Sequence, residues 1–199
     1  LLVGGAGDDV LYADAVDTLL DTVVGFANKI WAGLGDDKLY GGNSSDVLGG
    51  GDGADELEGG NSDDTLYGGA GNDELDGGAG DDVMYGGDGN DFLEARAGDD
   101  TLWGGAGDDN LDGGAGADPF GFLAGSGDDE IWSFNVDEDT LDLSRTDFDF
   151  TDIDDVVARA SVVTSATNVS GVMIDLGGGD SIWLAQFDMA DVSGLNVVF

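Results

Sequence analysis

The chain has 199 residues, of which 44 are Asp or Glu and 5 are Lys or Arg, so its formal net charge is −39. Five basic residues are too few to replace the counterions on nucleic-acid phosphates, which excludes a nucleic-acid-binding protein. The absence of cysteine and histidine excludes disulfides, histidine–cysteine zinc sites and Ser–His or Cys–His nucleophiles. No apolar run is long enough to span a membrane, and the first residues do not form a secretory signal peptide. Because the sequence begins at Leu1 rather than Met, we expect a fragment or a processed product.

Residues 1–31 hold one isolated copy of a nine-residue pattern, at 4–12, followed by an insert. The apolar residues Val16, Leu19, Leu20 and Val23 follow helical spacing, so a short helix or a loop is predicted over 14–25. The segment 28–31 also fits the end of a degraded copy, with Ile30 facing inward, which predicts a strand after it.

Residues 32–121 divide into ten contiguous nonapeptides, for example GGAGNDELD at 68–76. Position eight of each copy is large and apolar. Position six is Asp in all ten and in the isolated copy. These residues are Asp9, Asp37, Asp46, Asp55, Asp64, Asp73, Asp82, Asp91, Asp100, Asp109 and Asp118. A nine-residue period is two and a half helical turns and cannot keep one face of a helix.

The nonapeptide predicts an all-β fold built from turns and short strands. Glycines at positions one, two and four permit the positive φ of a tight turn. The last three residues form a strand with position eight inward and its neighbours outward. Two copies then make one 18-residue coil of a flattened parallel β-solenoid. Successive coils stack about 4.8 Å apart.

In that arrangement the position-six aspartates form two columns, with neighbours 18 residues apart in sequence. Adjacent charges would repel by roughly 3.5 kcal/mol per pair, which a marginally stable domain cannot absorb repeatedly. A cation must therefore lie between the coils. Ligands that are all oxygen, in irregular loops, favour Ca²⁺ over Mg²⁺, which requires a stricter octahedron. The alternative is that the aspartates are turn residues, but a turn would accept Asn or Ser at position six as well.

The pattern Gly-Gly-x-Gly-x-Asp-x-U-x, where U is large and apolar, resembles the RTX (repeats-in-toxin) calcium-binding nonapeptide. The resemblance implies a parallel β-roll, a flattened right-handed β-solenoid, with Ca²⁺ between a turn and the turn one coil later. It implies that the earlier turn gives its Asp and the carbonyls of positions two and four. The later turn gives its Asp and the carbonyls of positions one and three.

Carried over, one site would use Gly60, Ser62 and Asp64 with Gly77, Ala79 and Asp82, and Asp82 would also serve the next site. The implied carbonyls of the earlier turns are those of Gly33, Gly35, Gly42, Ser44, Gly51, Gly53, Gly60, Ser62, Gly69, Gly71, Gly78, Gly80, Gly87, Gly89, Arg96, Gly98, Gly105 and Gly107. The implied carbonyls of the later turns are those of Gly50, Asp52, Gly59, Asn61, Gly68, Ala70, Gly77, Ala79, Gly86, Asp88, Ala95, Ala97, Gly104, Ala106, Gly113 and Ala115.

This arrangement gives eight sites, and a ninth where 125–129 resumes the pattern two residues out of frame and pairs Asp129 with Asp109. We therefore expect about eight to nine Ca²⁺ ions, of which eight would cancel 16 of the 39 net negative charges. Ser44, Ser62 and the Ala95–Arg96 pair depart from glycine. Since ligation is through carbonyls, these changes affect turn geometry more than metal binding.

The two outer faces differ. One is acidic, and the other carries Val, Thr and the rings of Trp31, Tyr67, Tyr85 and Trp103. A large apolar stripe usually marks a contact. Three alternatives stay open for this aromatic face: packing on the chain's own terminal segments, an interface with another chain or an upstream domain, and ring stacking on a polysaccharide.

Residues 122–199 leave the period and become more apolar. The stretch 125–144 resembles the segment after the β-roll in serralysin-type and other type I secreted proteins. We predict a short helix at 152–160 and a hairpin formed by 172–176 and 181–184. The last four residues resemble a secretion signal of one acid and three apolar residues, except that Asn196 replaces the acid. The resemblance implies a β-rich cap combined with a type I secretion region, and a solenoid needs such a cap over its last coil.

We predict a secreted or cell-surface calcium-binding module that folds after type I export and acts as scaffold and secretion region of a larger extracellular protein. Its expected partners are Ca²⁺, the secretion machinery, and a second copy or upstream domain at the aromatic face. The alternative is a self-assembling extracellular protein, a surface layer or fibre, that uses this face or the roll ends. No catalytic constellation is expected, because metal binding already accounts for the dense aspartates.

Overall fold

The computed structural model describes residues 1–12, 27–146, 150–164 and 170–199. These residues form two β-sheets that face each other across a single core, with one α-helix near the C-terminus. The all-β, parallel β-roll prediction is confirmed. The helix or loop predicted over 14–25 lies outside the described residues.

The chain alternates between the two sheets, so each sheet takes every second strand of the repeats. In spatial order the first sheet contains β1 (Leu2–Ala6), β3 (Lys29–Leu34), β5 (Val47–Asp52), β7 (Thr65–Ala70), β9 (Val83–Asp88), β11 (Thr101–Ala106), β13 (Pro119–Leu123), β15 (Thr140–Arg145) and β19 (Asn196–Val198). The second contains β16 (Ala160–Thr164), β17 (Ser170–Gly177), β18 (Asp180–Ala185), β14 (Asp128–Trp132), β12 (Asn110–Asp112), β10 (Phe92–Ala97), β8 (Glu74–Ala79), β6 (Glu56–Asn61), β4 (Lys38–Gly42) and β2 (Val10–Tyr12).

The register between neighbouring strands confirms the 18-residue coil. Thr65 of β7 pairs with Val83 of β9, in parallel, and the same offset recurs through the repeats. The strands are longer than predicted: most have six residues, because the parallel ladder continues through positions one to three of the next copy. Position eight forms the core, where Leu66 and Leu102 are fully buried.

The isolated N-terminal copy belongs to the same roll. Strand β1 pairs with β3, and β2 pairs with β4, both in parallel register. The predicted strand at 28–31 is confirmed as the start of β3, with Ile30 fully buried. Both sheets are therefore continuous between the isolated copy and the contiguous repeats.

The C-terminal region adds the last strands to both sheets. Strands β15 and β19 extend the first sheet, and β18 joins the second sheet beside β14. The predicted helix is confirmed as α1 (Ile153–Arg159), capped by the Asp152 side chain, which accepts from the N–H groups of residues 154 and 155. The predicted hairpin is confirmed as the antiparallel pair β17 and β18.

Candidate metal centre

The turns that join the two sheets have the backbone that the pattern demands at positions two and four. Gly69 and Gly71 have φ of 124° and 131°, and the corresponding glycines of the other copies are similar. At position one the expectation of positive φ was wrong, since glycines there keep ordinary φ. Glycine serves a different purpose at position one: a Cβ on Gly86 would collide with Asp91 Oδ2 and with the carbonyl oxygen of Gly104.

Two of the noted departures adopt the glycine-like backbone. Ser62, at position four, has φ of 75°, and Arg96, at position two, has φ of 76°. Such left-handed conformations are costly for residues with a Cβ. The turns keep their shape there, so a carbonyl is still available at each position.

From Asp37 to Asp118, one oxygen of each position-six carboxylate accepts a hydrogen bond from the backbone. Asp82 Oδ1 accepts a hydrogen bond from the N–H of Asp64, 2.7 Å away, and Asp100 Oδ1 accepts from the N–H of Asp82 at the same distance. The relation repeats along both columns and ties each coil to the one before it. The aspartate columns of the sequence prediction are therefore brought together as expected.

The second carboxylate oxygen at position six is buried. Ten of these oxygens make no hydrogen bond within the described part of the chain. They are Oδ2 of Asp9, Asp37, Asp55, Asp64, Asp73, Asp82, Asp91, Asp100, Asp109 and Asp118. A buried carboxylate oxygen without a partner is costly, and a row of them calls for a cation.

Backbone carbonyls converge on the same inter-coil gaps. A Cβ on Gly78 or Gly80 would strike the carbonyl oxygens of Gly60 and Ser62 one coil earlier, so these oxygens face the next coil. The Ala97 carbonyl faces back and accepts from the Gly80 N–H at 2.9 Å. Each gap thus has carbonyls of positions two and four on one side and of positions one and three on the other.

This donor set fits Ca²⁺. Two carboxylates and several carbonyl oxygens at each gap are the hard ligands that this ion takes in flexible geometry. No group of three or more acidic side chains converges within the described ranges, so backbone oxygens would have to complete each site. The particular carbonyl and aspartate assignments carried over from the family stay a prediction.

The columns are also electrostatically unfavourable without a cation. Burial away from water raises the pKa of Asp109 and Asp100 to about 7, although a backbone hydrogen bond opposes the shift. Neighbouring carboxylates of the same column raise these pKa values further. Asp129, at the end of its column, has a pKa raised to about 8, mainly by burial. The fold therefore places negative charge where water cannot stabilise it.

Asp9 is a candidate site residue that the prediction left out. Its Oδ2 is buried without a partner, its N–H donates to Asp37 Oδ1 at 2.5 Å, and the Gly7 N–H donates to the Leu34 carbonyl at 2.6 Å. The gap between the first and second turns therefore resembles the others. The signal was present, because Asp9 matches position six; the insert obscured its place in the column.

The C-terminal ends of the columns are closed by protein groups. Asp129 accepts from the Asp109 N–H at 3.1 Å, as the out-of-frame prediction required. In the other column Asp139, which the prediction missed, accepts from the N–H groups of Asp118 at 3.0 Å and Asn135 at 2.7 Å. Only the short pattern Asp-x-Leu at 139–141 marked it, since no glycine turn precedes it.

A second ladder runs along position five. The Asp63 carboxylate accepts from the Asp81 N–H, and Asp81 accepts from the Asp99 N–H, each at 3.0 Å. Asn72 accepts from the Asn90 N–H in the other column. Each of these exposed side chains accepts from the backbone of the following coil, whereas a position-six side chain accepts from the backbone of the preceding coil. The sequence analysis did not assign this role to position five.

The aromatic face forms a stack along the first sheet. Tyr67 lies between Trp31 and Tyr85, with ring centres 6.0 and 5.1 Å away. The exposed fractions of Trp31, Tyr67 and Tyr85 are 43, 38 and 37%, which disfavours burial of these rings under the described segments of the chain. The C-terminal region reaches this face at Arg145, whose guanidinium carbon lies 5.5 Å from the centre of the Trp103 ring.

Comparison with known proteins identifies the family. Residues 1–17, 24–57, 49–84, 58–93 and 85–118 match the family model described as the RTX calcium-binding nonapeptide repeat (4 copies). These spans cover more than half of the chain, so the chain belongs to the RTX family of calcium-binding repeat proteins. Repeats of this family bind calcium and occur in secreted proteins.

Solved structures give similar but distant matches. The extracellular lipase LipA from Serratia marcescens is 19% identical over 94% of this chain and 42% of its own, with a TM-score of 0.45. The AlgE6R3 subunit of the Azotobacter vinelandii mannuronan C5-epimerase is 24% identical over 70% of this chain and 79% of its own, with a TM-score of 0.32. The chain spans less than half of the lipase. No curated protein matched.

Proposed function

We propose that the chain is a calcium-dependent folding module of a secreted protein. In a cytosol with scarce free Ca²⁺, repulsion within the aspartate columns and the entropy of the glycines keep the roll unfolded, which suits export through a type I channel. Outside the cell, Ca²⁺ binds between the coils and its binding free energy becomes folding free energy. The folded roll then acts as scaffold, and the C-terminal region as secretion region, of a larger extracellular protein.

The observation that carries this proposal is the row of ten buried carboxylate oxygens that make no hydrogen bond within the described residues. Each lies in a gap that backbone carbonyls also face. In our proposal Asp37 through Asp129 and the carbonyls assigned above hold eight to nine ions, and the Asp9–Asp37 gap holds one more. The proposal includes no catalytic step for this chain.

A calcium titration tests the proposal. Circular dichroism of the metal-free chain at neutral pH should show little β-structure, and Ca²⁺ should restore it cooperatively. Equilibrium dialysis should then find about nine to ten ions per chain, while Mg²⁺ at the same concentration should not restore the signal. Full β-structure in the metal-free chain at neutral pH would contradict the proposal.

A type I export assay tests the secretion role separately. A passenger fused ahead of the chain should reach the medium when the channel is present, and loss of residues 122–199 should abolish export. No helix in the described ranges is long and apolar enough to cross a membrane. Passenger export that is indifferent to the C-terminal region would contradict the secretion role and leave calcium-dependent folding untouched.

The first coil favours a second candidate, calcium-dependent self-assembly. In the described part of the chain, β1 pairs only with β3 and β2 only with β4, so both strands have a free edge. Val3 is 67% and Val10 is 55% exposed on this coil. Free edges with apolar side chains favour pairing with another chain. Light scattering that rises on calcium addition would support assembly, and an unchanged monomer signal would exclude it.

A further inference from the structure

A pocket of about 380 Å³ opens on the outer face of the second sheet, where β12, β14 and β18 end. We propose that this Trp132 pocket binds a neutral saccharide unit. It is lined by Asp112, Trp132, Ser133, Phe134, Gln186 and Phe187, with Ala185. None of these residues belongs to the aspartate columns, so the proposal concerns a site separate from the metal centre.

The polar groups of the pocket match hydroxyls. Asp112 is half-buried and lines the pocket, so its carboxylate offers an acceptor at the pocket wall. The Gln186 amide can both donate and accept, and so can the Ser133 hydroxyl. A carboxylate beside an amide and a hydroxyl is suited to the adjacent hydroxyls of a sugar, which donate and accept in turn.

The charge of the pocket favours a neutral ligand. No basic residue lines it, and the chain carries a net charge of −39, so an anion would be repelled. Its single lining carboxylate is a poor basis for a divalent cation, which takes several anionic or carbonyl oxygens. A ligand that offers hydroxyls without charge avoids both difficulties.

The aromatic residues provide a stacking surface. Trp132 meets Trp183 at 70°, with ring centres 6.3 Å apart, and no described ring stacks in parallel on it. Phe134 is held by Phe120 and Phe187, each with its ring centre 5.8 Å away. By contrast, Tyr67 in the first sheet has a ring stacked on each side. The apolar face of a pyranose therefore fits the Trp132 pocket better than the aromatic face.

The backbone at the pocket rim is strained. Ser133 has φ of 60° and Gln186 has φ of 61°, and they follow β14 and β18 at neighbouring register positions. Side chains rarely adopt this conformation, and strained residues concentrate at ligand sites. Two such residues line one pocket, which is consistent with a backbone that has been arranged to present their polar groups.

Saturation-transfer NMR tests the proposal on the calcium-saturated full chain. The probes are cellobiose, maltose, lactose and chitobiose, with glucuronate and glucosamine as charged counterparts. At least one neutral disaccharide should receive saturation on its ring CH protons. Asp112→Asn should weaken its binding about tenfold, the loss of one good hydrogen bond to a charged group. Trp132→Ala should abolish binding, whereas Trp31→Ala, on the opposite sheet, should leave it unchanged.

The outcomes separate cleanly. The proposal is overturned if no neutral probe receives saturation, if only glucosamine does, or if binding survives Trp132→Ala but not Trp31→Ala. Calcium-dependent circular dichroism of each variant checks folding independently. If Trp132→Ala does not fold, Gln186→Ala carries the test, because Gln186 is exposed and its loss should weaken binding without altering the core. Calcium-dependent folding does not depend on the result.

Discussion

Two different physical reasons require glycine in the nonapeptide. One is a positive φ, and the other is a lack of room for a Cβ atom. Both reasons apply to Gly71 at position four, since its φ is 131° and a Cβ would collide with the Gly53 carbonyl oxygen. Gly5 has nearly the same φ, 130°, but no atom lies within 4 Å of its would-be Cβ. The two positions therefore separate backbone strain from steric overlap.

We expect Gly71→Ala to lower the free energy of unfolding of the calcium-loaded chain by more than about 2 kcal/mol, the sum of strain and overlap. Gly5→Ala, the matched control, should cost less, about 1–2 kcal/mol, because only backbone strain applies. Urea unfolding in saturating Ca²⁺ measures both. Equal losses for the two variants would mean that the close approach between coils does not matter.

A single aspartate should serve two sites. Asp82 Oδ1 holds the N–H of Asp64, while the Asp82 N–H is held by Asp100 Oδ1, so the residue lies between two gaps. Asp82→Ala should reduce bound Ca²⁺ by about two ions, counted by dialysis and atomic emission, since both gaps lose a carboxylate. Glu74→Gln is the control, because Glu74 is exposed on the outer face of the second sheet and should leave the count unchanged. A loss of one ion or none on Asp82→Ala would contradict shared ligation.

At the scale of elements, the hairpin β17–β18 ends one column of turns. The Asp180 carboxylate accepts from the Gly125 N–H at 2.7 Å and from the Gly127 N–H at 3.3 Å. In the preceding coils the N–H at position four, such as that of Gly53, is held by a carbonyl of the next coil. Asp180 replaces that carbonyl where no further repeat follows.

Asp180→Ala should therefore loosen the last turn without unfolding the roll. We expect faster amide hydrogen exchange at Gly125 and Gly127 and a loss of about 0.5–1.5 kcal/mol in stability, the usual net contribution of a hydrogen bond that is not fully buried. Asp191→Ala is the control, because the Asp191 side chain makes no capping hydrogen bond. Unchanged exchange at Gly125 in the Asp180 variant would show that the hairpin does not cap this column.

The structure of the repeats could be predicted from the sequence because each nonapeptide contains the residues that determine its own turn and strand. The apolar residue at position eight predicts the core, and the Asp at position six predicts the two columns. The 18-residue spacing predicts the register between neighbouring strands. The ends could not be predicted in the same way, because their geometry depends on contacts made by distant segments. Asp139 takes its place through the pairing of β13 with β15, and Asp180 meets its turn 53 residues away in sequence. The Trp132 pocket likewise forms only when β12, β14 and β18 lie side by side.

At the scale of the whole molecule, the net charge of −39 makes the stability of the fold depend on the binding of protons and metal ions. In the folded roll, burial raises the pKa of Asp64 and Asp100 to about 7, and of Asp73 and Asp91 to about 6, above the ordinary value of 3.8. A group with a raised pKa binds protons more tightly when folded. Its contribution to stability is complete below pH 3.8 and is lost as the pH rises through 6 to 7.

The metal-free chain should therefore gain β-structure as the pH falls from 8 to 4. The calcium-loaded chain should instead lose stability over the same range, because protons compete with Ca²⁺ for the carboxylates. Circular dichroism across this range, in buffers stripped of divalent ions or saturated with Ca²⁺, measures both slopes. Asp100→Asn should flatten the metal-free curve, since the amide does not titrate. If the metal-free chain responds to pH in the same direction as the calcium-loaded chain, then protons do not substitute for the cation in the columns, and repulsion between buried carboxylates is not what keeps the roll unfolded.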